Sequence, residues 1–366
     1  MKITAIEMHV FTSKTPLPVT SFHGLFEDSG PAGTIEYSLI RVLTDEGLEG
    51  DYVVWSEIPA AKPRALAEVL RALSPHLIGE DPLDREKIWQ NLGSFWYGQK
   101  GPAFAALDIA LWDIAGKAAN LPIYKLFGAY RDKIRAYCSG SPPSKVEDAV
   151  DLSLELKKRG YTAMKLHPAS LEMCKAIREA VGDEITLMHD AVFSYNRQEA
   201  LKVGKELEKL NFHWYEAPLP AYDIDGYVEL VRKLDIPITV ELFYNYAEYI
   251  RRNAIDIFKS MSDFVGGMTE MRKIAGLCEM FGLNLEPHSY GGIFCQAANL
   301  HVMLSIKNCD FFELPIINGR EGAFDVGTRD NIRIDENGYV HAPKKPGLGL
   351  EIDWDQVEKG LDALRL

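Results

Sequence analysis

Between residue 135 and about residue 330 the chain repeats one rhythm, a short apolar run followed by an amphipathic stretch, and nothing else in it narrows the possible folds as far. The apolar runs are 135–139, 163–167, 185–190, 214–216, 238–241, 256–260, 284–288 and 311–313, with helical periodicity between them, as at 144–159, 198–210 and 269–281. Strands that alternate with helices lie parallel, because each helix carries the chain back to the edge where the strand began. Eight such strands with short connections predict a closed barrel. No Gly-rich dinucleotide fingerprint follows the first strand, which argues against an open doubly wound sheet. Neither a P-loop nor a GxSxG elbow occurs.

Ahead of the barrel the pattern differs. Strands are expected at 3–11 and 36–44, with a turn at Asp45-Glu46-Gly47 and helical periodicity from Lys62. Segments 20–33 and 52–61 lack periodicity and are expected to be loops of the kind that carry function. Segment 102–117 is apolar almost all round, so it predicts a buried helix, with Gly128 as a later stop. The tail, 331–353, returns to short strands and turns and is expected to pack on the first module. The predicted organisation is an α+β capping domain at 1–130, completed by 331–366, and a barrel at 131–330.

Composition excludes several partners. A formal net charge of −13 would repel a phosphate backbone, so nucleic acid is not expected. No apolar stretch is long enough to span a membrane. Five scattered cysteines without a CxxC fit buried thiols in a reducing compartment. The first residues read as a strand rather than a signal peptide, and a cytoplasmic location is expected.

Almost every predicted strand ends in a residue able to do polar chemistry: Lys165 and His167, Asp190, Glu216, Glu241, Lys259, His288 and Glu313. Barrel enzymes gather their chemistry at the C-terminal strand ends, so these side chains should converge. Asp190, Glu216 and Glu241 are 26 and 25 residues apart, one βα repeat each. Three carboxylates crowded together repel one another unless a cation neutralises them, and all-oxygen ligation favours Mg²⁺.

The run DIALWDIAGK (108–117), MKLH (164–167), the three carboxylates, VGGMTEMRKIAGL (265–277), EPH (286–288) and PGLGLEID (346–353) together resemble the mandelate racemase-like group of the enolase superfamily. The resemblance covers essentially the whole chain. It implies a capping domain over a (β/α)7β barrel, one Mg²⁺ held by Asp190, Glu216 and Glu241, a homo-oligomer, and an enediolate formed by removing the proton α to a substrate carboxylate. By the same pattern Glu313 matches an acid that hydrogen-bonds a substrate carboxylate oxygen. That role requires a raised pKa, which burial and neighbouring carboxylates could supply.

Two departures stand out. The usual Lys-x-Lys reads Lys165-Leu166-His167 here, so histidine takes the place of the base, with Lys165 as the cation beside it. His288 matches a histidine normally paired with an aspartate, but the aspartate position, counted back from Gly266-Gly267, is Met261. Without that partner His288 suits the work of an acid, protonating a leaving oxygen, better than that of a base. His189 should point away from Asp190, and His213 and His301 read as structural. His23 and Trp55 in the cap loops, with Lys259, complete the residues expected to bind substrate.

The expected reaction is dehydration of an acid sugar to a 2-keto-3-deoxy acid. The alternatives are cycloisomerisation of a sugar lactone or anhydro-sugar acid, then racemisation or epimerisation. A protein that binds sugar acids with metal but does not turn them over is the reading from another class.

Overall fold

The computed structural model describes residues 1–14, 34–56, 58–95, 100–289, 291–317, 319–359 and 361–362. His23 lies outside the described residues. Strands β1 (Ile3–Lys14), β2 (Thr34–Thr44) and β3 (Glu49–Trp55) form an antiparallel sheet in the order β1-β2-β3. Segment 52–61, expected as a loop, thus begins inside a strand. Its signal was hidden because Tyr52, Val53 and Val54 are all buried, so the alternation that marks a strand with one wet face is missing.

Helix Pro102–Ala119 covers this sheet and is buried on all sides from Pro102 to Gly116, as its composition demands. It ends at Asn120 in the left-handed conformation (φ 52°), well before Gly128. Its polar residues fasten the surrounding parts. Asp108 accepts from the backbone N–H of Thr269 at 3.0 Å and from its hydroxyl at 2.6 Å. Asp113 accepts from the N–H of Leu348 at 2.8 Å and from that of Asp51 at 3.1 Å, and pairs with Lys117 at 2.7 Å. Gly267 (φ 96°) packs directly on Asp108 and leaves no room for a Cβ, which accounts for glycine in VGGMTEM.

The second sheet is parallel and follows the predicted rhythm: β4 (Lys133–Gly140), β5 (Ala163–Leu166), β6 (Thr186–Asp190), β7 (Phe212–Glu216), β8 (Ile238–Glu241), β9 (Ile257–Lys259), β10 (Asn284–Leu285) and β11 (Phe311–Pro315). Each pairs with the next in sequence up to β10, and β11 returns to pair with β4, the order of a (β/α)7β barrel. The seam between β10 and β11 closes by other means. Leu285 N–H donates to Asn308 O at 2.7 Å, and the Glu286 carboxylate accepts from the N–H groups of Asp310 and Phe311 at 2.8 and 3.0 Å. Burial lifts the Glu286 carboxyl to about 7 in spite of these donors.

The tail does more than complete the small sheet. β12 (Tyr339–His341) pairs antiparallel with β4 of the barrel, and β13 (Leu361–Asp362) pairs with β1. The last segment therefore ties both sheets together. All five cysteines are buried and unbridged, and no helix among the described residues is long and apolar enough to cross a membrane.

Candidate active site

Parallel register fixes the site. Asp190 ends β6 opposite Glu216 at the end of β7, and Glu241 ends β8 opposite Lys259 on β9. The three carboxylates stand on adjacent strands, 6, 2 and 7% exposed, with Glu313 from β11 fully buried beside them. Asp190 Oδ1 also accepts from the Val192 N–H at 3.0 Å, and Glu216 Oε2 from the indole of Trp214 at 3.2 Å.

Lys165 stands at the centre. Its Nζ lies 3.2 Å from Asp190 Oδ2, 3.3 Å from Glu216 Oε2 and 3.0 Å from Glu313 Oε1. His167, two residues on, places Nε2 3.4 Å from the same Asp190 oxygen, so both side chains leave β5 on one side as a period of two requires. The Lys165 side chain is 1% exposed and that of His167 22%, so the imidazole is the group that reaches open space.

Charge decides the electrostatics. Burial alone would raise the Asp190 pKa, yet the charges of His167 and Lys165 hold it down to about 2. Glu313 behaves in the same way, and this corrects the expectation of a raised pKa. Burial pushes it up, but His288, Lys165 and Lys259 outweigh burial and hold it well below the carboxylate range. Glu313 is a carboxylate here, accepting from the Ser289 N–H at 2.8 Å.

His288 is not without acidic neighbours, a second correction. Met261 is buried and apolar as expected, but His288 Nδ1 lies 3.0 Å from Glu241 Oε1, and Nε2 lies 3.5 Å from Glu313 Oε2. Burial would lower the imidazole pKa, and these two carboxylates raise it above the ordinary value. Asp263 plays no part in this, since it accepts from the Tyr52 hydroxyl and burial lifts its pKa to about 6.

The remaining residues fall where the strands dictate. Lys259, expected to touch substrate, is fully buried behind Glu216, 3.1 Å from its Oε2, and donates to the Tyr137 hydroxyl at 2.9 Å. Tyr137 and Trp214 escaped the sequence reading because an aromatic residue within an apolar strand carries no signal of a polar role. Trp55 ends β3 and packs edge-on against Phe324 at 5.2 Å and over Gly291, just after His288. His189 turns outward to Ala169 O at 3.0 Å, and His301 accepts from the Tyr124 N–H at 3.1 Å.

The donor set fits a hard divalent cation. Four buried carboxylates face two buried ammonium groups, leaving two negative charges when the imidazoles are neutral. Glu241 Oε1 is buried without a well-aligned donor, although His288 is close. Among the described residues no three acidic or imidazole groups enclose a common point, and the Lys165 ammonium lies between the carboxylates instead.

A barrel with acid, base and ligand-type side chains at its strand ends has the build of an enzyme. Residues 6–128 match the mandelate racemase/muconate lactonizing enzyme N-terminal domain, and residues 148–356 match the enolase C-terminal domain-like family. The chain belongs to this branch of the enolase superfamily. It is 32% identical over 340 residues to the arabinonate dehydratase of Saccharolobus solfataricus, covering 87% of this chain and 90% of that protein. It is 30% identical to the D-galactarolactone cycloisomerase of Agrobacterium fabrum, with 98% of each covered. The crystal structure of D-glucarate dehydratase from Agrobacterium tumefaciens complexed with magnesium superposes with a TM-score of 0.85 at 33% identity, covering 100% of this chain and 99% of that one.

Proposed function

We propose that this chain removes the proton α to the carboxylate of a sugar acid and expels the oxygen substituent on the next carbon, giving a 2-keto-3-deoxy acid. The observation that carries the reading is the row of buried Asp190, Glu216 and Glu241 on adjacent strand ends, with Lys165 against Asp190 and Glu216 and one imidazole on each side. Asp190, Glu216 and Glu241 would hold Mg²⁺, which when bound offsets the second negative charge that develops on the substrate carboxylate.

The chain's own groups do the rest. His167, on open space beside Asp190, takes the C2 proton, the task of a general base. Lys165 places a fixed positive charge where the enediolate oxygens form. His288, whose pKa Glu241 and Glu313 raise against the effect of burial, gives a proton to the leaving oxygen. Glu313 positions Lys165 and His288, and Lys259 holds Glu216 from behind rather than meeting substrate. Trp55, at the end of β3, and His23, which lies outside the described residues, are the proposed substrate contacts.

Cycloisomerisation shares the first half-reaction and is the second reading, favoured by the full-length similarity to D-galactarolactone cycloisomerase. The test is a panel of aldonates, aldarates and anhydro-sugar acids assayed with Mg²⁺ for keto-acid formation. Keto-deoxy product from open-chain acids supports dehydration. Turnover of only ring-containing acids overturns it in favour of cycloisomerisation.

A further inference from the structure

Helix Arg85–Phe95, helix Pro102–Ala119 and helix Met268–Met280 enclose a cleft of about 680 Å³ that shares no residue with the strand-end cluster. Its floor is aromatic and rigid. Trp112 donates to the Thr269 hydroxyl at 2.8 Å, that hydroxyl is bound to Asp108, and Phe127 meets Trp112 edge-on at 4.5 Å. The Arg85 guanidinium lies over Trp112 at 3.9 Å, and that of Arg272 over Phe127 at 4.3 Å and 6.0 Å from the Trp112 ring.

These two arginines lack counter-charge. Neither is in an ion pair among the described residues, and Arg85 Nε is buried without a hydrogen-bond partner. Burial pulls the pKa of both down, and Arg85 feels Arg272 as a further repulsion, although Asp108 beneath raises it. Asp108 is itself committed to Thr269. The other charges at the rim cancel more fully, since Lys273 pairs with Glu86 at 2.7 Å and Lys87 with Glu80 at 2.6 Å. Four cationic and two acidic side chains line the cleft, an excess of two positive charges on a protein whose net charge is −13.

We propose that the cleft is a binding site for a small oxyanion of about two negative charges, phosphate or a short dicarboxylate, bridged by Arg85 and Arg272 above the Trp112 floor. Two planar guanidinium forks on aromatic faces present paired N–H donors, the geometry that suits such oxygens. The DIALWDIAGK run then serves two ends, with Asp108 fixing Thr269 and Trp112 seating the arginines.

Calorimetric titration of the Mg²⁺-loaded protein with inorganic phosphate and, separately, malonate tests this, with acetate as the singly charged control. The expected result is saturable uptake of at least one dianion, weakened about tenfold or more in Arg272→Gln. Arg85→Lys keeps the charge but loses the fork, and is expected to weaken binding in the same direction; Lys345→Gln, on the tail, should leave it unchanged. The ratio of phosphate to malonate affinity decides which oxyanion the cleft takes. Absence of saturable uptake by the wild type, or uptake unchanged in Arg272→Gln, overturns the proposal. A shift in oligomeric state in Arg272→Gln without altered uptake assigns the cleft to contact with a second copy and overturns it equally.

Discussion

His288 Nδ1 lies 3.0 Å from Glu241 Oε1, although the two residues come from opposite sides of β9. A glutamate thus gives the imidazole the negative neighbour that Met261 does not, and with Glu313 it favours the protonated ring. His288→Ala should therefore slow elimination by about 10²- to 10⁴-fold, the usual worth of a general acid, while exchange of the C2 proton survives. Both rates measured on one sample decide this. Loss of exchange together with elimination would make His288 the base.

Metal binding should register as stability. Four buried carboxylates against two ammonium groups leave the apo site under repulsion, and a ligand held only by the folded state stabilises it by about 2.7 kcal/mol at a hundredfold excess over Kd. Mg²⁺ is expected to raise the unfolding temperature of the wild type and to have little effect on Glu216→Gln or Glu241→Gln. Calorimetric titration of the same variants gives the affinity directly. Equal stabilisation of all three proteins would remove these residues from the metal site.

The joint between helix Pro102–Ala119 and the barrel should be sensitive to Asp108. Asp108→Ala strands the Thr269 N–H and hydroxyl in a buried setting, at about 1–3 kcal/mol for each donor left unmet. Denaturant unfolding should show the loss, and Asp108→Asn, which keeps one acceptor, should lose less.

His301 should make the fold sensitive to acid. Burial lowers its pKa to about 4, while its ring accepts from the Tyr124 N–H and meets Leu348 O at 3.1 Å. An unfolded histidine takes up a proton below about pH 6.5, and the folded one only near 4. Its contribution is therefore complete above pH 6.5 and is lost as pH falls towards 4, up to roughly 3 kcal/mol. Urea unfolding at pH 7 and pH 4.5 should show a smaller decline for His301→Gln than for the wild type.

The barrel was legible because each strand is short, apolar and closed by a polar residue, so the sequence alone puts Asp190, Glu216 and Glu241 on neighbouring strands. Lys165 and His167 followed from the period of two. What escaped depends on packing in space. β3 has no alternation because helix Pro102–Ala119 covers one of its faces while Val53, on the other, packs against Gly327, and the pairing of β12 with β4 leaves no local mark. Lys259 sits at a strand end like the others, yet its direction is set by Tyr137 and Trp214 across the barrel. The Glu313 pKa turned on which charges stood nearest, and the counting of acids in the sequence misjudged it.

The central claim is that this chain breaks the C–H bond α to a sugar-acid carboxylate with His167 as base. The most direct measurement is proton NMR of C2 deuterium incorporation in D₂O, with Mg²⁺ and the panel acid that turns over fastest, in the wild type and in His167→Ala. The account predicts incorporation or elimination in the wild type and loss of both in His167→Ala, with Mg²⁺ binding retained. Incorporation undiminished in His167→Ala would contradict it.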